Sequence, residues 1–142
     1  MSVEDAKVDW IEFDLDGVLA VEQEKITCSE DHEKALPFEP AILLLKAFKE
    51  AGFRIRINTA RWEDDYDVTE KWLNAHGIPF DELLVGKPQY VLKIDDRTIN
   101  TRTLKAVDKM GEILGNSRRE IAVALANMEK DYDKFIEENG GK

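Results

Sequence analysis

Stretches that suit strands alternate with stretches that suit helices from Val8 to Ile94, and each strand-like stretch runs out into polar residues. Val8 to Phe13 is mainly β-branched or aromatic, and Gly17 ends it. Pro40 suits a helix start, where its missing N–H costs nothing. Ile42, Leu43, Leu45, Phe48 and Ala51 then give an apolar face closed by Gly52. Phe53 to Thr59 alternates with period two, which predicts a second strand. Tyr66, Val68, Trp72, Leu73 and Ala75 predict a second helix, stopped by Gly77 and Pro79. Glu82 to Val85 reads as a third strand and Tyr90 to Ile94 as a fourth. This alternation implies an α/β fold: a three-layer, Rossmann-like parallel sheet with helices on both faces, followed by C-terminal helices.

In such sheets ligands bind beyond the carboxyl ends of the strands. The polar clusters all fall there: Asp14/Asp16, Thr59/Arg61, Gly86/Lys87 and Asp95/Asp96. Asp14 and Asp16, two apart at a strand end, point the same way and can share a hard cation such as Mg2+. Taken alone, Asp-x-Asp-Gly is more often a surface turn; the apolar residues on both sides favour a site. An EF-hand is excluded, because it requires Asp or Asn at 18 and Gly at 19, where the chain has Val18 and Leu19. Thr59 and the N–H groups after it can hold a phosphate oxygen. Arg61 can clamp a substrate anion. Gly86-Lys87-Pro88 is not a Walker A loop, since Asp81 and Pro88 break that pattern, but Lys87 can still meet a phosphoryl group. Asp95-Asp96 forms a second acidic pair suited to a metal. His32 and His76 read as structural residues, and Glu63-Asp64-Asp65 as the acidic start of a helix.

Charge narrows the classes of partner. Asp and Glu outnumber Lys and Arg by 30 to 20, for a formal charge of -10. That disfavours nucleic acid and anionic membranes, although a bound cation can reverse the field locally. The apolar runs are too short for a membrane span, and the acidic N-terminus lacks an apolar signal region, so a cytoplasmic location is expected. Cys28 stands alone, which rules out an internal disulfide.

Residues 20–38 read as a loop with one short hairpin or helical turn. Long connections of this kind are often functional. The tail from about Thr103 is helical: Leu104, Val107 and Met110 form one stripe, Gly115-Asn116 breaks it, and Ser117 can cap the next helix. Ile121, Leu125, Met128, Tyr132 and Phe135 follow at alternating spacings of four and three. Packing on its own domain is the favoured reading of this stripe, and a homodimer seam the sharper one. The expected organisation is a catalytic core over 1–102 and a helical extension over 103–142. Residues 1–6 and Gly140-Gly141-Lys142 are expected to be frayed.

With the four clusters assembled, the chain resembles the haloacid dehalogenase-like (HAD) superfamily of phosphotransferases. Phe13-Asp14-Leu15-Asp16-Gly17-Val18-Leu19 resembles its first motif, Ile57-Asn58-Thr59 the second, Lys87 the third and Ile94-Asp95-Asp96 the fourth. Thr59-Ala60-Arg61 and Val85-Gly86-Lys87-Pro88 are similar to small capsule-biosynthesis-type phosphatases. Ile94-Asp95-Asp96-Arg97-Thr98 is similar to the 3′-phosphatase domain of polynucleotide kinase-phosphatases. The resemblance implies a Mg2+-dependent phosphatase acting on a sugar phosphate, nucleotide or other small phosphometabolite. In it Asp14 attacks phosphorus to form an aspartyl-phosphate, and Asp16 moves protons. Thr59 and Lys87 hold phosphoryl oxygens, and Asp14, Asp16, Asp95 and Asp96 form the metal set. It also implies a core without a large cap, because 20–38 and 62–85 are too short for one. Two alternatives stay open: a polynucleotide 3′-phosphatase, and a non-catalytic binding or assembly module on the same fold.

Overall fold

The computed structural model describes residues 9–140. The start of the first expected strand at Val8 and the expected frayed ends at 1–6 and 141–142 lie outside them. The chain divides into two compact units, Met1–Gln89 and Tyr90–Lys142.

The first unit is built on three parallel strands: β1 (Trp10–Phe13), β2 (Arg54–Asn58) and β3 (Glu82–Leu84), in that spatial order. Helix α1 (Glu39–Glu50) links β1 to β2, and α2 (Tyr66–Ala75) links β2 to β3. Register makes the two sheet faces unlike. Ile11 pairs with Ile55, and Phe13 aligns with Ile57 and Leu83. These residues share one face and form a core with Leu15, Leu19, Ile42, Leu45, Trp72 and Leu73. The other face carries Glu12, Arg56 and Glu82 side by side. Arg56 donates to Glu82 at 2.7 Å and lies 3.7 Å from Glu12. Trp10 packs there under the guanidinium groups of Arg54 and Arg56, at 4.2 and 4.5 Å. Both connections step the same way across the sheet, and right-handed crossovers of that kind bring both helices to one face.

The long connection between β1 and α1 contains a helical turn, one of the two alternatives expected of it, and an isolated bridge in place of a hairpin. Ala20 bridges Pro37 in an antiparallel pairing, and Ser29–Lys34 forms a 3-10 turn. Side chains strap this segment to α2. The Trp72 indole N–H donates to the Ala35 carbonyl at 2.9 Å. Asp65 accepts the Ser29 hydroxyl and lies 3.4 Å from the buried His32. Asp65 begins α2, but its carboxylate serves this tie and makes no side-chain cap.

The second unit contains helices α3 (Thr103–Leu114) and α4 (Arg118–Glu138). Ser117 caps α4 in a reciprocal box with Glu120. Gly115 ends α3 in the left-handed conformation, at φ 72°. The strand expected over Tyr90–Ile94 is absent: this stretch is irregular, and Tyr90, Val91 and Ile94 are exposed. Its apolar composition met the local requirement for a strand. A strand also needs a neighbour's ladder, and the described sheet ends at β3.

Candidate active site at the strand ends

The chain leaves β1 into a loop whose shape is set by one buried residue. The Leu15 side chain is fully buried, and its carbonyl accepts the N–H groups of Val18, Leu19 and Ala20. Gly17 makes this tight return possible at φ 87°, where a side chain would be strained. With Leu15 turned into the core, Asp14 and Asp16 on either side of it remain partly exposed, with side-chain accessibilities of 42% and 34%.

The ends of β2 and β3 are joined by backbone bonds. Thr59 N–H donates to Leu84 O at 2.9 Å, Lys87 N–H to Thr59 O at 2.9 Å, and Gly86 N–H to Arg61 O at 2.6 Å. Thr59 is buried, and its hydroxyl oxygen accepts the Arg61 N–H at 3.2 Å. These bonds hold Thr59, Arg61 and Lys87 on one rigid pair of loop starts.

Side chains then bridge to the β1 loop. Lys87 Nζ lies 3.3 Å from Asp14 Oδ1, which also accepts the Leu15 N–H at 2.8 Å. Arg61 donates from Nε and Nη2 to the two oxygens of Asp16, at 2.9 and 2.7 Å. Its third nitrogen, Nη1, donates to the hydroxyl of buried Thr69 at 3.1 Å. The Arg61 side chain is only 3% exposed. The sequence reading assigned Arg61 to a substrate anion; in this structure its guanidinium is engaged by Asp16 and Thr69. Thr69 is absent from the sequence reading. It sits on the buried side of α2 with no motif around it, so its only signal is the partner that the fold supplies.

Asp14, Asp16, Thr59, Arg61 and Lys87 therefore converge within the first unit. Asp95 and Asp96 belong to the second. Asp95 accepts the Arg97 N–H at 3.2 Å and lies 3.4 Å from Lys93. The Arg97 N–H, with Asp96, Thr98 and Lys93 beside it, lowers the Asp95 carboxyl to about 2. Among the described residues no three Asp, Glu, His or Cys side chains gather as a metal cluster.

The chemistry of the convergent set suits Mg2+ with phosphate. Mg2+ needs few protein oxygens, keeps water, and takes up phosphate oxygens. Asp14 offers a partly exposed carboxylate. The Asp16 carboxylate is engaged by Arg61 through both of its oxygens. Two acids face two bases here, so a divalent cation arriving with a phosphate dianion leaves the local charge balanced.

Fold and site together define a small parallel α/β protein with a carboxylate–cation site at its strand ends. The same fold is found in a structural-genomics target from Vibrio cholerae, with 30% identity over 68% of this chain and 86% of that one and a TM-score of 0.55. This chain belongs to the same family as the Vibrio protein. A chain of the Pnkp1/Rnl/Hen1 complex shares the fold at 23% identity and a TM-score of 0.51. That match covers 63% of this chain and 32% of the other, so this chain spans about a third of it. No protein-family model matches the sequence, and no curated protein does.

Proposed function

We propose that the protein is a HAD-type phosphatase that hydrolyses a small phosphomonoester with Mg2+ bound. The observation that carries this reading is the pairing of Asp14 with Lys87 at 3.3 Å beside an Asp16 held by Arg61. Asp14 attacks phosphorus, and the bond to the leaving oxygen breaks as Asp16 delivers a proton to it. Asp16 then takes a proton from water, whose oxygen displaces Asp14 and releases inorganic phosphate. Lys87 holds the nucleophile and the transferring oxygens in place, and Thr59 with the following N–H groups receives the phosphate. Arg61 fixes the direction of the Asp16 carboxylate. Mg2+, held by Asp14 and the Asp16 carbonyl, would supply charge neutralisation on the phosphoryl group. The three-layer form of the HAD fold belongs to this reading and requires a cover for the Glu12–Arg56–Glu82 face.

The fold shared with the Pnkp1/Rnl/Hen1 complex favours a second reading, a polynucleotide 3′-phosphatase. The formal charge of -10 opposes it, because polyphosphate binding draws on Lys and Arg.

The test is turnover of an aryl phosphate, a phosphometabolite panel and a 3′-phosphorylated oligonucleotide, each with Mg2+ and with EDTA. We expect metal-dependent release of phosphate, lost in Asp14→Asn and cut by about 100-fold or more in Lys87→Met, a loss of the size seen when a charge-stabilising donor is removed. Asp95→Asn and Asp96→Asn, assayed across Mg2+ concentration, test the expected metal role of that pair. Full activity in EDTA or in Asp14→Asn rejects the mechanism. Inactivity on every substrate favours the binding-module reading.

A further inference from the structure

One buried cluster of the first unit lies outside the steps assigned to Asp14, Asp16, Thr59, Arg61 and Lys87. Asp65 accepts the Ser29 hydroxyl on one oxygen and holds the other 3.4 Å from Nε2 of His32, a residue 7% exposed. Two local requirements yield at this one place. Asp65 stands at the N-cap of α2, where a carboxylate ordinarily accepts N–H groups of the first turn, and its side chain makes no such bond. His32 Nδ1 is buried without a hydrogen-bond partner among the described residues. Concessions of this kind gather where a local rule gives way to a site.

Bonds lead from the cluster to Asp16 by two routes. Thr69 follows Asp65 by one turn of α2 and accepts from Arg61 Nη1 at 3.1 Å. Arg61 in turn grips both oxygens of Asp16. In the other direction, Ser29 and His32 belong to the connection that leaves the Asp16 loop. There Gly17 N–H donates to Ala20 O at 2.8 Å, and Ala20 bridges both Asp16 and Pro37. The two routes close on each other through Asp65. A shift at the start of α2 is therefore carried to Thr69 and to the guanidinium that aims the acid. We infer that Asp65, held by Ser29 and His32, is a positioning residue for the proton transfers of Asp16. This assignment rests on the phosphatase reading.

Leaving groups separate positioning from folding. A nitrophenolate departs without a proton, whereas an alkoxide needs one from Asp16 as the P–O bond breaks. kcat/KM reads the steps up to that departure, so hydrolysis of the aspartyl-phosphate, common to all substrates, does not enter. Asp65→Ala is assayed with Mg2+ on nitrophenyl phosphate and on the best alkyl phosphate of the panel. Its kcat/KM should fall about 10-fold further on the alkyl than on the aryl substrate, a share of the ~100- to 10,000-fold that a positioned acid contributes. Asp65→Asn keeps an oxygen for the Ser29 hydroxyl and should show a smaller gap of the same sign. Circular dichroism checks folding; if Asp65→Ala does not fold, Asp65→Asn decides alone. Equal losses on the two substrates, or no loss, in a folded variant overturn the assignment and leave the phosphatase reading standing. A wild type inactive on every substrate rejects that reading, and the assignment falls with it.

Discussion

Arg61 and Asp16 meet through two hydrogen bonds, with the guanidinium sealed from solvent and the carboxylate still about a third exposed. Burial of the base on Thr69 fixes one side of the pair, while the acid keeps part of its surface open to solvent.

Arg61→Lys should therefore damage more than a surface charge change would. Lysine cannot reproduce a planar two-point grip while also reaching Thr69. Breaking a fully buried pair costs 3–5 kcal/mol, but Asp16 retains solvent, so the expected loss is about 1–3 kcal/mol. Urea unfolding measures it. An unchanged midpoint would mean that the pair contributes nothing to the fold.

Thr59→Val keeps the shape of the side chain and removes its oxygen. The Arg61 N–H then loses its acceptor in a buried setting, at a cost of about 1–3 kcal/mol. Thermal unfolding should show the loss. Phosphate turnover should fall too, because the turn that aims Arg61 is loosened.

Asp31 makes part of the stability pH-dependent. Its carboxylate accepts the Thr27 N–H at 2.8 Å, the Thr27 hydroxyl at 2.9 Å and the Cys28 N–H at 3.3 Å. These donors, the Thr27 N–H foremost, lower its pKa from 3.8 to about 2. A lowered folded-state pKa gives stability that is present above the unfolded value and is lost as pH falls through the folded one. Wild type should exceed Asp31→Asn in stability above pH 3.8, and the difference should vanish as pH drops through about 2. Urea midpoints on both sides of that window check it; a gap independent of pH would refute the assignment.

Gly111→Ala should destabilise the α3–α4 pair even though alanine is the better helix former. The added Cβ would lie 2.5 Å from the Asn116 backbone carbonyl oxygen and 3.7 Å from Ile121. Helix propensity returns about 1 kcal/mol, while forcing an extra methyl against backbone costs about 1–3 kcal/mol. A net loss of helical signal on heating is expected; a stabilised variant would show that the turn can shift freely.

Where a pattern depends on near neighbours, the sequence reading and the structure agree closely. Pro40, Gly52 and Gly77 mark the ends of α1 and α2 because helix starts and stops are decided within a turn. The alternation from Phe53 to Thr59 marks β2, and Ser117 marks the start of α4, for the same reason. Tyr90–Ile94 has strand-like composition without forming a strand, because pairing needs a neighbour that composition cannot supply.

At the site, the sequence by itself determined which groups sit at strand ends: Asp14, Asp16, Thr59, Arg61 and Lys87 each follow an apolar stretch that the hydrophobic effect drives inward. Only the tertiary structure decided what those groups touch. Lys87 meets Asp14, Arg61 turns away from solvent onto Asp16 and Thr69, and Asp65 abandons its helix to hold Ser29 and His32. The physical reason is range. Strand and helix patterns are set by residues a few positions apart, while these bonds join residues from 8 to 73 positions apart, brought together when β1, β2 and β3 align.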